Sequence, residues 1–269
     1  MRKRLSLIIG AFVVAVPLSA NAEIVTSGLT NRWKIDQGSG TTALDSVGTA
    51  DGQFVNSPTW TTDTPGIYHP PYALDFEADD SDYLHCQNDS VPTSSAGTID
   101  TWFEIESWPD NRMTLFAKGP TAHWRNIYLG VIGNATADEM LLVLANGTSS
   151  TTTGLSTGPI SLDTWYHMAG TWDGTNEYVY LNGVQVDSGS YGITPPNTLG
   201  YKVDIGYGQY GPRHFDGIID EIRIYNRALT PEEVFQNYAT VAVPEPASLV
   251  LIGAALCGLL PWYVRRRAP

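Results

Sequence analysis

At 269 residues the chain has room for one large β domain or two small ones, and its 16% of charged residues falls below the roughly 25% of an average soluble protein. The formal net charge is −13, yet six of the 15 basic residues (Arg2, Lys3, Arg4, Arg265, Arg266 and Arg267) sit at the two ends. The rest of the chain carries nine basic against 28 acidic residues, a net of −19 that excludes nucleic-acid binding and suits divalent cations and an extracellular surface.

The first element in chain order is an export signal. Met1 to Arg4 is basic, Leu5 to Leu18 is apolar, and Ala20-Asn21-Ala22 is a small-x-small cleavage site that would leave Glu23 as the mature N-terminus. Residues 1–22 are therefore expected to be a signal peptide. Export permits disulfides, but Cys86 and Cys257 are the only cysteines, and Cys257 lies in a C-terminal apolar run. Stability must come from the core and from any bound metal.

Residues 23–240 read as one β domain. Short alternating runs are punctuated by Gly, Asn, Asp and Pro, with no long 3.6-residue period. Ile99 to Ile105 predicts a strand with Ile99, Thr101, Phe103 and Ile105 on one face and Asp100, Trp102 and Glu104 on the other. Trp124 to Ile132 and Met140 to Ala145 predict a strand pair around Gly133-Asn134. Trp165 to Trp172, Tyr178 to Leu181 and Val184 to Asp187 predict a meander turning at Asp173-Gly174 and Asn182-Gly183. Lys202 to Tyr207 and Gly217 to Tyr225 add two strands. One short helix is expected from Thr230 to Tyr238, with Thr230 as cap, Pro231 at the first position and Glu233 closing a capping box. Val234, Phe235 and Tyr238 would pack it against the sandwich.

The chain ends, over residues 241–269, in Val243-Pro244-Glu245-Pro246, an uncharged run from Ala247 to Val264, and the three arginines. As a helix the run would span about 27 Å, close to a bilayer core. The arginines would stay cytoplasmic, which puts the body across the membrane, as the leader does.

Four stretches together resemble the LamG-like jelly-roll domain of the concanavalin A-like lectin/glucanase superfamily. They are Tyr72 to Phe76 with Asp82 to Leu84 (an early strand pair), Gly97 to Phe103, Trp165 to Gly183, and Phe215 to Thr230. The resemblance spans about residues 28–238 and implies an all-β fold: a two-sheet antiparallel jelly-roll sandwich with one short C-terminal helix. It also implies a structural Ca²⁺ held by Asp45 and Asp220, with Asp51 and the Thr49 carbonyl as neighbours. The alternative is that Asp45 supports a turn and Asp220 a β-bulge. The tail resembles the PEP-CTERM sorting signal, which implies recognition of Pro244, Glu245 and Pro246 by an integral-membrane exosortase and processing at the envelope. Arg265, Arg266 and Arg267 complete that signal, and a plain membrane anchor is the alternative.

Trp33, Trp60, Trp102, Trp108, Trp124, Trp165 and Trp172 make a tryptophan-rich body. Trp165 and Trp172 are expected in the core. Trp102, Trp124 with Arg125, and Tyr207 with Tyr210 are the candidate carbohydrate contacts, since flat rings stack on sugars and polar neighbours fix hydroxyls. Asp100, Glu104 and Glu106 faintly resemble the acidic strand of laminarinase-type hydrolases, but Trp102 stands where the central acid belongs. The sequence thus predicts an exported, non-catalytic envelope protein that binds a glycan such as exopolysaccharide. A matrix or adhesion protein with protein partners, and below it a glycoside hydrolase, are the alternatives.

Overall fold

The computed structural model describes residues 23–66, 71–86, 95–119, 127–133, 139–145, 150–156, 160–190, 202–208 and 213–242. The expected signal peptide with its cleavage residues Ala20 and Ala22, the tail from residue 243, and Trp124, Arg125 and Tyr210 lie outside the described residues. Among the described residues no helix is long and apolar enough to cross a membrane.

The chain opens with β1 (Leu29–Trp33), β2 (Thr42–Ala43), β3 (Gly52–Val55) and β4 (Thr59–Thr61). β5 (Ala73–Phe76), β6 (Tyr83–Cys86) and β7 (Gly97–Ile105) follow. Next come β8 (Arg112–Lys118), β9 (Ile127–Ile132), β10 (Glu139–Ala145) and β11 (Ser150–Ser156). The meander is β12 (Tyr166–Trp172), β13 (Asn176–Leu181) and β14 (Val184–Ser190). β15 (Val203–Ile205), β16 (Gly217–Tyr225) and helix α1 (Pro231–Ala242) complete the fold.

These strands form two antiparallel sheets. The front sheet runs β14-β13-β12-β7-β16-β5-β4, with β1 also paired to β16, and the back sheet runs β11-β10-β9-β8-β15-β6-β3-β2. Long-range pairings such as β7 with β16 give it the sandwich topology that the punctuated strand pattern predicts. Ile99, Phe103 and Ile105 of β7 enter the core with Leu129 and Val131 of β9, Met168 of β12 and Ile219, Ile222 and Ile224 of β16. Asp100, Trp102 and Glu104 therefore point to the outer face of the front sheet. The Asn182-Gly183 turn joins β13 to β14 with φ of 49° and 77°, the left-handed pair that a two-residue hairpin requires.

Three expectations need correction. Tyr72 to Phe76 and Asp82 to Leu84 do not pair: β5 belongs to the front sheet and β6 to the back sheet. Between them Asp82, itself buried, accepts hydrogen bonds from the backbone N–H groups of Ser57 and Glu77 and fixes the crossing. Trp165 precedes β12 and is half-buried, unlike Trp172, which is 2% exposed. On α1, Phe235 is 47% exposed, while the polar Asn237 is wholly buried.

Candidate functional site

The outer face of the front sheet divides at Trp102. On one side α1 covers it. Thr230 and Glu233 cap that helix reciprocally, with Thr230 N–H donating to Glu233 at 2.9 Å and Glu233 N–H to the Thr230 hydroxyl at 3.3 Å. Arg227 grips the same Glu233 with two hydrogen bonds of 2.7 Å. The Asn237 amide donates to Asp100 at 2.6 Å and to the Tyr225 hydroxyl at 2.9 Å, and its oxygen accepts from Val25 N–H at 2.9 Å. Beneath the helix Arg223 donates to Asp100 at 2.9 Å and to Glu221 at 3.0 Å, and Glu221 also accepts from Arg32 at 2.8 Å. A β-bulge between Asp220 and Arg223, with Glu221 at φ 48°, turns the Glu221 carboxylate toward both arginines. Burial works to raise the Asp100 carboxyl, but Arg223, with His167 and Asn237, outweighs it and holds the group below the ordinary carboxylate range.

Trp102 belongs to this covered region. Its ring stacks on Tyr238 of α1 at 5.5 Å and lies 5.3 Å from His167, leaving it 3% exposed. The expectation that Trp102 contacts a sugar is corrected: its face is taken by the helix.

Beyond Trp102 the face turns acidic. The register of β5, β16 and β7 places Asp75, Ile218 and Glu104 in one cross-strand row. Phe76, Gly217 and Ile105 form the next, core-facing row, and Glu77, Asp216 and Glu106 continue the outer face one position further. Gly217, at φ 134°, lets the strands close there, since any side chain would collide with the Glu104 carbonyl. Carboxylate oxygens of Asp75, Glu77 and Glu106 lie within 4.8 Å of one another. Burial, then the negative charges of Asp63, Asp163 and Glu106, pushes the Glu104 carboxyl up to about 7. Burial followed by Asp75, Glu77, Asp216 and Asp163 does the same to Glu106, also to about 7. Trp165 stands at the margin of this region. The ladder pairing Tyr166 with Phe103 sets it beside Glu104, and its indole N–H donates to Asp63 at 2.8 Å.

The Asp45 loop is arranged differently. Asp45 Oδ1 accepts from the backbone N–H groups of Arg32, Val47 and Gly48 at 3.0, 3.2 and 2.8 Å. Its Oδ2 accepts from the Asn31 amide at 2.6 Å and Ala50 N–H at 3.1 Å. Asp51 in turn accepts from Asp45 N–H at 2.8 Å. A side chain at Gly48 would collide with Asn31 and the Asp45 carboxylate, so glycine is what lets the turn close. The adjoining cleft, about 520 Å³, is lined by Lys34 and Asp36 as well as by Asp45, Thr49 and Asp51. Five N–H donors converge on Asp45, the reverse of the oxygen shell that Ca²⁺ needs. Nor do Asp45, Asp51 and Asp220 form a converging carboxylate trio among the described residues. Asp220 is buried and accepts from Glu221 N–H at the bulge. This residue set does not fit the expected calcium site.

On the back sheet, Tyr207 lies 4.8 Å from Tyr83 and stacks on His214 at 4.7 Å, all three rings half-buried. His85 Nδ1 lies 2.6 Å from Asp204 nearby. Tyr207 thus joins an aromatic stack whose other members carried no signal in the sequence. The acidic end was partly legible, because Asp75-Phe76-Glu77 and Glu104-Ile105-Glu106 both alternate acid with apolar residue. Their meeting across β16 was not.

The sequence model described as the concanavalin A-like lectin/glucanases superfamily matches residues 78–235, and the PEP-CTERM protein-sorting motif matches residues 242–267. No curated protein matches the chain. Among solved structures, domain 4 of AbnA, a GH43 extracellular arabinanase from Geobacillus stearothermophilus in complex with arabinotriose, is 20% identical. That match covers 79% of this chain and 98% of the other, with a TM-score of 0.62. Trypanosoma rangeli sialidase with the inhibitor DANA is 17% identical, with a TM-score of 0.55, over 80% of this chain but only 33% of the sialidase. The receptor binding domain of botulinum neurotoxin mosaic serotype C/D is 12% identical, with a TM-score of 0.58, over 78% of this chain and 50% of the other. At these identities the likenesses establish a shared fold. The paired antiparallel sheets and the family match over residues 78–235 agree: the chain belongs to the concanavalin A-like lectin/glucanases superfamily and carries a PEP-CTERM sorting motif.

Proposed function

We propose that this chain is a non-catalytic carbohydrate-binding protein of the cell envelope. Its motif sends it through exosortase processing, and it then takes a neutral polysaccharide at the acidic end of the front sheet. The observation that carries this reading is Trp165, half-buried, oriented by its hydrogen bond to Asp63 and set beside Glu104. An indole face stacks on the apolar face of a sugar ring, and flanking carboxylates accept from its hydroxyls. The net negative charge repels uronates and other acidic glycans, so a neutral chain is the fitting class. The arabinotriose bound by domain 4 of AbnA supports including arabinan among the probes.

A non-catalytic role is supported by the strand itself, where Trp102 stands between Asp100 and Glu104 in the place of the central acid that a laminarinase-type hydrolase carries. Asp100 itself is committed to Arg223 beneath α1.

Affinity electrophoresis of the full chain through gels containing arabinan, β-glucan or polyuronate tests the reading. Retardation by a neutral glycan, absent in polyuronate and lost in Trp165→Ala, is the expected result. Passage through every gel without retardation ends the binding reading, and release of reducing ends, abolished by Glu104→Gln, ends the non-catalytic one.

A further inference from the structure

We infer that the cleft beside the Asp45 turn binds a small zwitterion of the α-amino-acid kind, its carboxylate on Lys34, its ammonium on Asp36 and Gln37, and its apolar side chain along Leu44. The cleft volume of about 520 Å³ falls within the roughly 300–1,000 Å³ of small-molecule sites. Part of the lining is the Asp45 turn, whose carboxylate is already engaged by five N–H groups and is therefore fixed. Another part is the segment that follows β1, from which Lys34, Asp36 and Gln37 line the cleft. Trp33 and Ile35 of this segment both enter the core. Ile35 does so at φ 54°, a left-handed conformation that a β-branched residue adopts only under strain. Strain of this kind persists where the surrounding structure holds a segment in place for a purpose, and here it holds the segment that carries the polar lining.

The polar groups of that segment lack partners. Lys34 and Asp36 are half-buried, and neither takes part in an ion pair among the described residues. The side-chain oxygen of Gln37 is buried and accepts no hydrogen bond. A buried acceptor without a donor is costly, and so are half-buried charges left uncompensated. A neutral ligand would leave both Lys34 and Asp36 unpaired. A bare cation would meet the Lys34 ammonium, and a simple anion would meet Asp36 and Asp51 in the same lining. A ligand that carries both charges satisfies the whole set. Its carboxylate accepts from Lys34, and its ammonium has three donors to share between the Asp36 carboxylate and the Gln37 oxygen. Leu44, 49% exposed and part of the lining, offers the apolar surface for a side chain. None of these residues belongs to the acidic end of the front sheet, so the site is distinct from the one proposed for glycan.

The test is saturation-transfer NMR of the full chain at pH 7 with L-leucine and with L-methionine, in the absence of glycan. The expected result is saturable transfer to both. Binding should be at least tenfold weaker for N-acetyl-L-leucine, which lacks the ammonium, and for L-leucinamide, which lacks the carboxylate. Lys34→Met and Asp36→Asn should each weaken leucine binding at least tenfold, and Lys34→Arg should retain more of it than Lys34→Met. Circular dichroism checks that the variants fold, and the blocked ligands are read on the unaltered chain, so they decide the matter even if a variant unfolds. The inference is overturned if neither amino acid gives saturable transfer, or if the blocked forms bind as well as the free ones. Leucine binding that survives in a folded Lys34→Met/Asp36→Asn double variant overturns it too. No polysaccharide is present in the sample, so the outcome is separate from that of the carbohydrate reading.

Discussion

Arg223 and Asp100 meet at 2.9 Å with both side chains completely buried, on opposite strands of the front sheet and beneath α1. Glu221 and Arg32 balance the group, so two acidic and two basic side chains share one enclosed network. Such a network adds little beyond an apolar core of equal volume, yet breaking it strands a charge. Arg223→Met or Asp100→Asn should each cost about 3–5 kcal/mol, read from guanidinium denaturation midpoints. The double variant should cost less than the sum of the two, because its remaining neighbours are no longer facing an unpaired charge.

Asn237 ties α1 to this network and to the N-terminal segment by three hydrogen bonds. Asn237→Leu leaves the Val25 N–H and the Tyr225 hydroxyl without that partner, at about 1–3 kcal/mol for each buried group abandoned. Tyr238 should then lift from Trp102, which would appear as red-shifted tryptophan emission and easier acrylamide quenching. Phe235→Ser, on the exposed side of the same helix, should change stability by less than about 0.5 kcal/mol.

How much of this was readable beforehand follows from the range of each interaction. The Asn182-Gly183 hairpin, the β7 alternation and the Thr230/Glu233 cap are local and follow from residue type and spacing. Pairing between distant strands carries no such signature. Tyr72 to Phe76 and Asp82 to Leu84, close in sequence, enter different sheets. Trp102 illustrates the same point at the candidate site. Alternation placed it correctly on the outer face with Asp100 and Glu104, but only the tertiary fold shows that α1 lies over it. Trp165 looked like the start of a core strand and instead falls one residue before β12, where its indole serves the margin of the acidic end.

Glu104 and Glu106 set a pH dependence whose sign is opposite to ordinary acid denaturation. Both carboxyls are raised to about 7 in the folded chain from an ordinary 4.5, so between these values the folded state holds more protons than the unfolded one. Their contribution is most favourable below about 4.5 and is lost as pH rises through 7. In chelator-treated protein Tm should fall by a few degrees from pH 5 to pH 8. The fall should flatten in Glu104→Gln/Glu106→Gln, and a profile equally steep in that variant would place its origin elsewhere.

Trp102 and Trp165 should separate stability from binding. Trp102 is 3% exposed and stacked on Tyr238, so Trp102→Ala removes a large packed ring and should cost about 3–5 kcal/mol. Trp165 is half-buried on a loop, and the hydrogen bond it would lose is to the exposed Asp63, so Trp165→Ala should cost about 1 kcal/mol. For glycan retention the order reverses at a temperature where both variants remain folded. An aromatic platform ordinarily dominates sugar contact, so Trp165→Ala should weaken retention at least tenfold. Trp102→Ala should leave it within about threefold, because its ring is already occupied by a helix. Equal retention by both variants would mean that the polysaccharide lies against another face, with the Tyr83, Tyr207 and His214 stack on the back sheet as the next surface to substitute.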